Sequence, residues 1–435
     1  MATPGPDRGT VSPAGAEIAD PSLATAGEER IEWAAGQMPV LARIRARFGT
    51  ERPLQGLRVA ACLHVTAETA NLVRTLRAGG AQVALCAANP LSTQDDVAAA
   101  LVHAQDAEVR ARRGEDMDAY VAHVRALLEG SIGRETVTLD DGADLIATAH
   151  VRAQRRPEEP WSVIGGVEET TAGLLRLRRL HEEGVLRCPV IAVNEARTER
   201  ALNDRHGTGQ SALDGIIRAT NMLLAGNTVV IVGYGWAGQG VAERARGAGA
   251  AVVVCEVEPL RALEARMAGY EVMPALEAAA RGDLFITVTG SRAVLGEPHF
   301  EQMKDGAVLA NAGHFDVELD LPALERLAGA RRRAVRPLVE EYRMADGRRL
   351  NLLARGRVVN LAAAEGHPAA VMDVSFALQA LSIEQLLAQR GTLGPGVHPV
   401  PDRVDREVGR LKLAALGVRI DEPTEEQSDY TRGWV

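Results

Sequence analysis

The 435-residue sequence predicts an α/β fold built as two successive wound units, each a parallel sheet covered by helices. Three observations predict it. Short apolar runs alternate with helical patterns of about 10–15 residues along most of the chain. The alternation restarts near Gly207 as a second series. The first apolar run of that series ends directly in a glycine-rich turn. At about 150 residues per domain, the length fits two to three domains with a sizeable core.

In chain order, the opening MATPGPDRGTVSPAGAE has no basic-then-apolar signal pattern, and residues 1–20 read as a disordered leader. Glu28–Arg47 is helical in pattern with a break at Pro39. Leu57–His64 is a buried-strand run, followed by a helix over Glu68–Arg77. Ala81–Ala87 reads as a strand, with a further helix starting near Gln94. The alternation continues through Val137–Leu139, Gly173–Glu183 and Pro189–Val193, and Thr228–Val232 opens the second series. From Thr392 the segment TLGPGVHPVP reads as a linker to a short C-terminal helix.

Composition removes several function classes. Aromatics are only 3%, so the core rests on Ala, Val and Leu, and no aromatic platform for single-stranded nucleic acid is expected. A net charge of −9 gives no electrostatic case for nucleic-acid binding. No run of about 18 apolar residues points to a membrane span. Cys62, Cys86, Cys188 and Cys255 are too scattered for a disulfide framework or a CxxC metal site, so no metal is expected. These features predict a soluble, cytoplasmic protein.

The run Thr228–Val232 leads into Gly233-Tyr-Gly235-Trp-Ala-Gly238, and Glu256 lies eighteen residues beyond Gly238 at the end of the apolar run Ala251–Cys255. Strand, glycine turn, helix, strand and acid together form a Rossmann dinucleotide fingerprint. Gly233 permits the tight turn, Gly235 lets the backbone approach a pyrophosphate, and Gly238 lets the helix sit close to its strand. The helix N-terminus offers free N–H groups to the phosphates. Glu256 would bond the ribose diol and repel a 2′-phosphate, which predicts NAD over NADP.

Further strings lie outside this unit. They are Cys62-Leu-His64-Val-Thr66-Ala-Glu68-Thr69, Leu91-Ser-Thr-Gln94-Asp95, Asp140-Asp141-Gly-Ala-Asp144 and Gly166-Val-Glu168-Glu169-Thr170-Thr171. Gly207-Thr-Gly-Gln-Ser-Ala-Leu-Asp-Gly215, His299-Phe-Glu-Gln-Met-Lys-Asp305, Asn311-Ala-Gly-His314-Phe-Asp316 and Gly366-His367-Pro368 follow. From about Pro21 to the C-terminus the chain resembles the adenosylhomocysteinase (S-adenosyl-L-homocysteine hydrolase) family. Its ending, Asp429-Tyr-Thr-Arg-Gly-Trp-Val435, is similar to the shorter archaeal and thermophile-like branch.

The resemblance implies a discontinuous substrate domain over residues 21–195 and 367–394, an NAD domain over 196–366, and a C-terminal helical tail over 395–435. It implies a small adenine nucleoside as substrate, tightly held NAD, and a homotetramer. In the family the ribose 3′-hydroxyl is oxidised, a base removes the acidified 4′ proton, the 5′ substituent leaves, water adds, and the ketone is reduced again. Asp141 resembles the base at the 4′ position. Glu169 resembles the carboxylate that contacts the 2′-hydroxyl. His64 and His314 resemble the histidines serving the leaving group and the attacking water, a role suited to imidazole. Thr66, Glu68 and His367 resemble contacts to the purine and its surroundings. Thr170, Thr171, Glu256 and Asn311 resemble contacts to NAD.

One segment departs from the family. Asn194-Glu-Ala-Arg-Thr198-Glu199-Arg-Ala-Leu-Asn203-Asp204 has Glu199 where the family has the lysine beside the 3′-hydroxyl, Asn203 where it has an aspartate, and Asp204 for the asparagine. An ionised Glu199 would invert the local field, by roughly 4 kcal/mol at 4 Å and an effective dielectric near 20. With Glu199 and Asn203 in the catalytic set, the departure predicts a specialised nucleoside dehydratase, expelling water across the 4′,5′ bond in nucleoside antibiotic biosynthesis. The alternatives are a hydrolase of S-adenosyl- or S-inosylhomocysteine and an inactive NAD-binding regulatory homologue.

Overall fold

The computed structural model describes residues 15–432. The first fourteen residues of the expected leader lie outside the described residues. Six strands come first: β1 (Arg58–Leu63), β2 (Gln82–Ala87), β3 (Glu108–Arg110), β4 (Thr136–Asp140), β5 (Val163–Glu168) and β6 (Pro189–Ala192). Eight more follow: β7 (Thr228–Val232), β8 (Ala251–Cys255), β9 (Glu271–Val272), β10 (Leu284–Thr287), β11 (Ala307–Asn311), β12 (Arg332–Arg336), β13 (Val339–Arg343) and β14 (Arg349–Leu353). The last is β15 (Gly396–Pro399).

The strands form two α/β sheets. The first is wholly parallel, in the order β15-β6-β5-β4-β1-β2-β3. Its central strands are buried on both faces, as helix-covered parallel strands must be. The second runs β12-β13-β14-β11-β10-β7-β8-β9. Its parallel part has Rossmann order, and the antiparallel β12–β13 hairpin extends one edge. In both sheets the winding reverses direction beside the first strand, between β1 and β4 and between β7 and β10. Crevices outside the C-terminal strand ends at such reversals are where α/β sheets bind ligands.

Three expectations need correction. Residues 15–20 are ordered: the Glu17 N–H donates to Val109 O at 2.9 Å, and Ala16 and Ile18 are buried. The Pro-rich stretch after Thr392 supplies β15, because β6 offers an unpaired parallel edge. The helix Asp402–Ala415 is also part of the fold, since Asp405 accepts the N–H groups of Arg197 (2.8 Å) and Thr198 (3.2 Å) at the start of a helix.

The chain returns to the first sheet through the helix Ala369–Ala388. Among the described residues it alone has the length and hydropathy of a membrane span, and two-thirds of it is buried inside the protein. Its Asp373 is fully buried. The carboxylate accepts the N–H groups of Val40 (3.3 Å) and Leu41 (2.9 Å), capping the helix Pro39–Glu51 that its own N-cap residue, Met38, leaves open. Lys412 Nζ completes the site at 2.9 Å. Asp373→Ala strands an ammonium group and two helix-end donors, so it should lower stability by about 3 kcal/mol. Differential scanning calorimetry of the variant checks this, and an unchanged transition would contradict it.

Candidate active site

A cavity of about 1210 Å³ opens between the C-terminal ends of the two sheets. β1 ends at Leu63 and delivers His64, and β4 ends at Asp140 and delivers Asp141. Asp141 Oδ2 lies 3.0 Å from His64 Nε2, and Oδ1 lies 3.5 Å from His314 Nδ1. The Ser92 hydroxyl donates to Asn89 O (2.9 Å), so its oxygen accepts His64 Nδ1–H at 2.7 Å. Burial works to raise the Asp141 pKa, but His64 and His314 outweigh it and hold it down at about 2, so the carboxylate is ionised. Burial, only partly offset by Asp141, lowers the pKa of His314. The Asp141 loop itself is strained, since the buried Ala143 has φ +61°.

Glu169 lines the same cavity. Ser375 Oγ donates to it at 2.7 Å, and Gln379 Nε2 donates to its other oxygen. Burial and the Asp141 charge push its pKa up to about 7. Thr66, Glu68 and His367 are also on the wall. Thr66 caps the helix Ala67–Ala78, and burial raises the Glu68 pKa.

His367 is pushed down to about 4 by burial and by His64, so its ring is neutral. Its Nε2 accepts from Thr208 Oγ1 (3.2 Å) and Asn360 Nδ2 (3.3 Å), which makes Nδ1 the N–H that donates to Asn203 Oδ1. The Asn203 amide in turn donates to Glu199. Asn203 lines the cavity, whereas Glu199 is fully buried behind it, with no partner for Oε2 among the described residues. Burial, then Glu169 and Asp204, raises the Glu199 pKa well above the usual carboxylate range. That direction favours the neutral acid and so weakens the inverted field expected from an ionised Glu199. Asp204, also on the wall, is pushed up to about 7 by burial, with Arg200 opposing.

The opposite wall is the second sheet. Gly233 has φ +104°, and a Cβ there would lie 2.8 Å from Val288 O; one at Gly238 would lie 2.2 Å from Gly233 O. Gly235 precedes the helix Trp236–Gly247, whose first N–H groups have no side-chain cap. Glu256 lines the cavity and accepts the N–H groups of Tyr234 (2.7 Å) and Val257 (2.7 Å). Thr170 and Thr171 line the wall nearer the first sheet. This cradle, open helix terminus and acid fit a dinucleotide without a 2′-phosphate.

Asn311 is not on the wall. It is fully buried, and its amide donates to Gly313 O, Phe315 O and Gly356 O, bracing the loop that carries His314. Sequence reasoning missed Glu318, which accepts the N–H groups of Thr289 and Gly290 and holds the cavity loop they form. A lone Glu in Asp-Val-Glu-Leu-Asp gives no signal for that.

Two wound α/β units closing on one cavity, with a dinucleotide cradle facing a carboxylate held between imidazoles, define a nucleotide-cofactor-dependent enzyme. The comparisons specify which. Residues 16–161 match the family model for S-adenosyl-L-homocysteine hydrolase, and residues 204–366 match that of the S-adenosyl-L-homocysteine hydrolase NAD binding domain. The chain is 56% identical over 418 residues to adenosylhomocysteinase of Aquifex aeolicus (strain VF5), covering 96% of this chain and 98% of that one. It is 53% identical over 417 residues to S-inosyl-L-homocysteine hydrolase of Methanopyrus kandleri, covering 96% and 97%. The chain belongs to the S-adenosyl-L-homocysteine hydrolase family and is an NAD-dependent enzyme.

Glu169 carries a pH signature. A raised carboxyl pKa contributes stability that is present below the ordinary value of 4.5 and is lost as pH rises toward about 7. Glu169→Gln removes that loss, so the variant should gain on the wild type in urea unfolding as pH rises through this window. A gap that stays constant with pH would contradict the assignment.

Proposed function

We propose that the protein hydrolyses S-adenosyl-L-homocysteine, or its inosine counterpart, to L-homocysteine and the nucleoside. The observation that carries this reading is the Asp141 carboxylate held between His64 and His314 in the cavity that also bears the dinucleotide cradle. Thr170, Thr171, Glu256 and the Gly233–Gly238 turn would hold NAD, which when bound would supply reversible hydride-transfer chemistry at the sugar 3′-carbon. Asp141, ionised on the cavity wall, takes the acidified 4′ proton. His64 holds the proton that the departing thiolate needs, and neutral His314 accepts one from the incoming water. Glu169 orients the sugar through its 2′-hydroxyl.

Glu68 and Thr66 meet the purine, and a carboxylate there accepts a 6-amino N–H, which favours adenine. Four buried, unpaired cysteines suit a reducing compartment, and cytoplasmic location and homotetramer assembly belong to the same proposal.

The relatives bear hydrolase names, and no comparison supports a dehydratase or an antibiotic pathway. The raised Glu199 pKa also weakens the electrostatic argument against an alkoxide at the sugar. Water elimination stands as the second reading for one reason: no cation replaces the family lysine at Glu199. Mass spectrometry of products separates the two. NAD-loaded enzyme should release homocysteine and adenosine from S-adenosylhomocysteine and leave adenosine and hexulose adenine nucleosides at full mass. A nucleoside lighter by one water, with no homocysteine released, would overturn the hydrolase.

The Glu199 and Asn203 side chains act as a bonded pair, so changing one alone strands the other. Glu199→Lys and Asn203→Asp should each lower kcat by about tenfold or more, while the double variant recovers most of the loss, a non-additivity expected of contacting residues. Additive losses would contradict the pairing.

A further inference from the structure

Glu168 ends β5, immediately before Glu169, and reaches neither the cavity nor solvent. Its Oε1 accepts two backbone N–H groups at once, from Gly142 and from Thr170, each at 2.9 Å. Gly142 follows Asp141, and Thr170 opens the helix Thr171–Glu182. That helix makes a second tie to the same loop residue, since Arg176 donates to Gly142 O at 2.6 Å and to Asp144 Oδ1 at 2.7 Å. Asp140 pairs in register with Glu168 and secures the far end of the loop by accepting the N–H groups of Leu145 (2.8 Å) and Ile146 (3.1 Å).

We propose that Glu168 is a positioning residue whose single shared oxygen fixes Asp141 relative to Glu169 and Thr170, so that the base and the sugar- and cofactor-facing segment keep one geometry. Its kinetic readout rests on the function proposed above. The carboxyl fits only because residue 173 is glycine: a Cβ there would lie 2.3 Å from Glu168 Cδ. Burial and Asp140 raise the Glu168 pKa, in keeping with a role as a neutral acceptor and not as a charge. An amide oxygen can do the same work.

Three variants of the NAD-loaded protein test this. Glu168→Gln keeps the acceptor, Glu168→Leu removes it, and Gly173→Ala keeps the carboxyl but displaces it. The readouts are kcat and KM on S-adenosylhomocysteine, and amide hydrogen exchange at Gly142 and Thr170. Glu168→Gln should stay near wild type. Glu168→Leu and Gly173→Ala should lower kcat by about tenfold to a hundredfold with KM little changed, the scale of a misplaced catalytic group. Both amides should exchange faster together. Wild-type kcat with a loss of thermal stability alone would overturn the proposal. So would faster exchange at only one of the two amides, or damage by Glu168→Gln equal to that by Glu168→Leu. If the wild type cleaves no nucleoside thioether, the proposed function fails, and the exchange data still decide the role of Glu168.

Discussion

The Asp141 carboxylate sits on the cavity wall, largely shielded from water and set between two imidazoles, and the rest of the site is arranged around keeping it ionised there. A buried carboxylate without partners would take up a proton. His64 and His314 prevent that here, at 3.0 and 3.5 Å. Each of the three groups comes from a different place: β1, β4, and the loop after β11. The reversal of winding between β1 and β4 brings the first two together. The third arrives only because the second sheet faces the first across the cavity. The pair thus depends on both domains, as does the hydride chemistry that would make its proton abstraction useful.

The other carboxyls of the cavity behave oppositely. Glu169, Asp204 and Glu199 crowd one region, and burial raises the pKa of each more than Arg200 at Asp204 or His64 at Glu169 lowers it. The site thereby separates one strong anion, Asp141, from several carboxyls whose pKa values are raised, a division set by environment alone. The chain from Thr208 and Asn360 through His367 and Asn203 to Glu199 has a fixed sense, with every donor pointing toward Glu199. That sense follows from the neutral His367 ring and orients the Asn203 amide.

Much of this was legible in the sequence, and the losses have physical causes. The strands with continuous apolar runs, such as Thr228–Val232 and Ala251–Cys255, stood out because parallel strands are buried on both faces. The β12 run Arg-Arg-Ala-Val-Arg is exposed throughout and shows no alternation, so its hairpin was invisible. β15 lies in a Pro- and Gly-rich stretch and is a strand only because β6 is there to pair with. The wall residues came from ordered strings of the family. Asp373 and Glu318 stand in none of those strings, because they act through backbone groups distant in the chain, and Glu168 and Asn311 stand in the strings without any sign that they brace backbone rather than face the cavity. Ser375 and Gln379 left a trace, as two polar residues four apart on a largely apolar helix, the spacing that places them on one face toward Glu169.

The central claim is that Asp141 removes the sugar 4′ proton within a cavity that also performs the hydride step. The most direct test incubates NAD-loaded protein with adenosine in deuterated water and follows the 4′ position by mass spectrometry. The account predicts deuterium at that carbon with wild type and none with Asp141→Asn, while both variants still reduce their bound NAD. Exchange that persists in Asp141→Asn, or a wild type that reduces its NAD without exchanging the 4′ hydrogen, would contradict it.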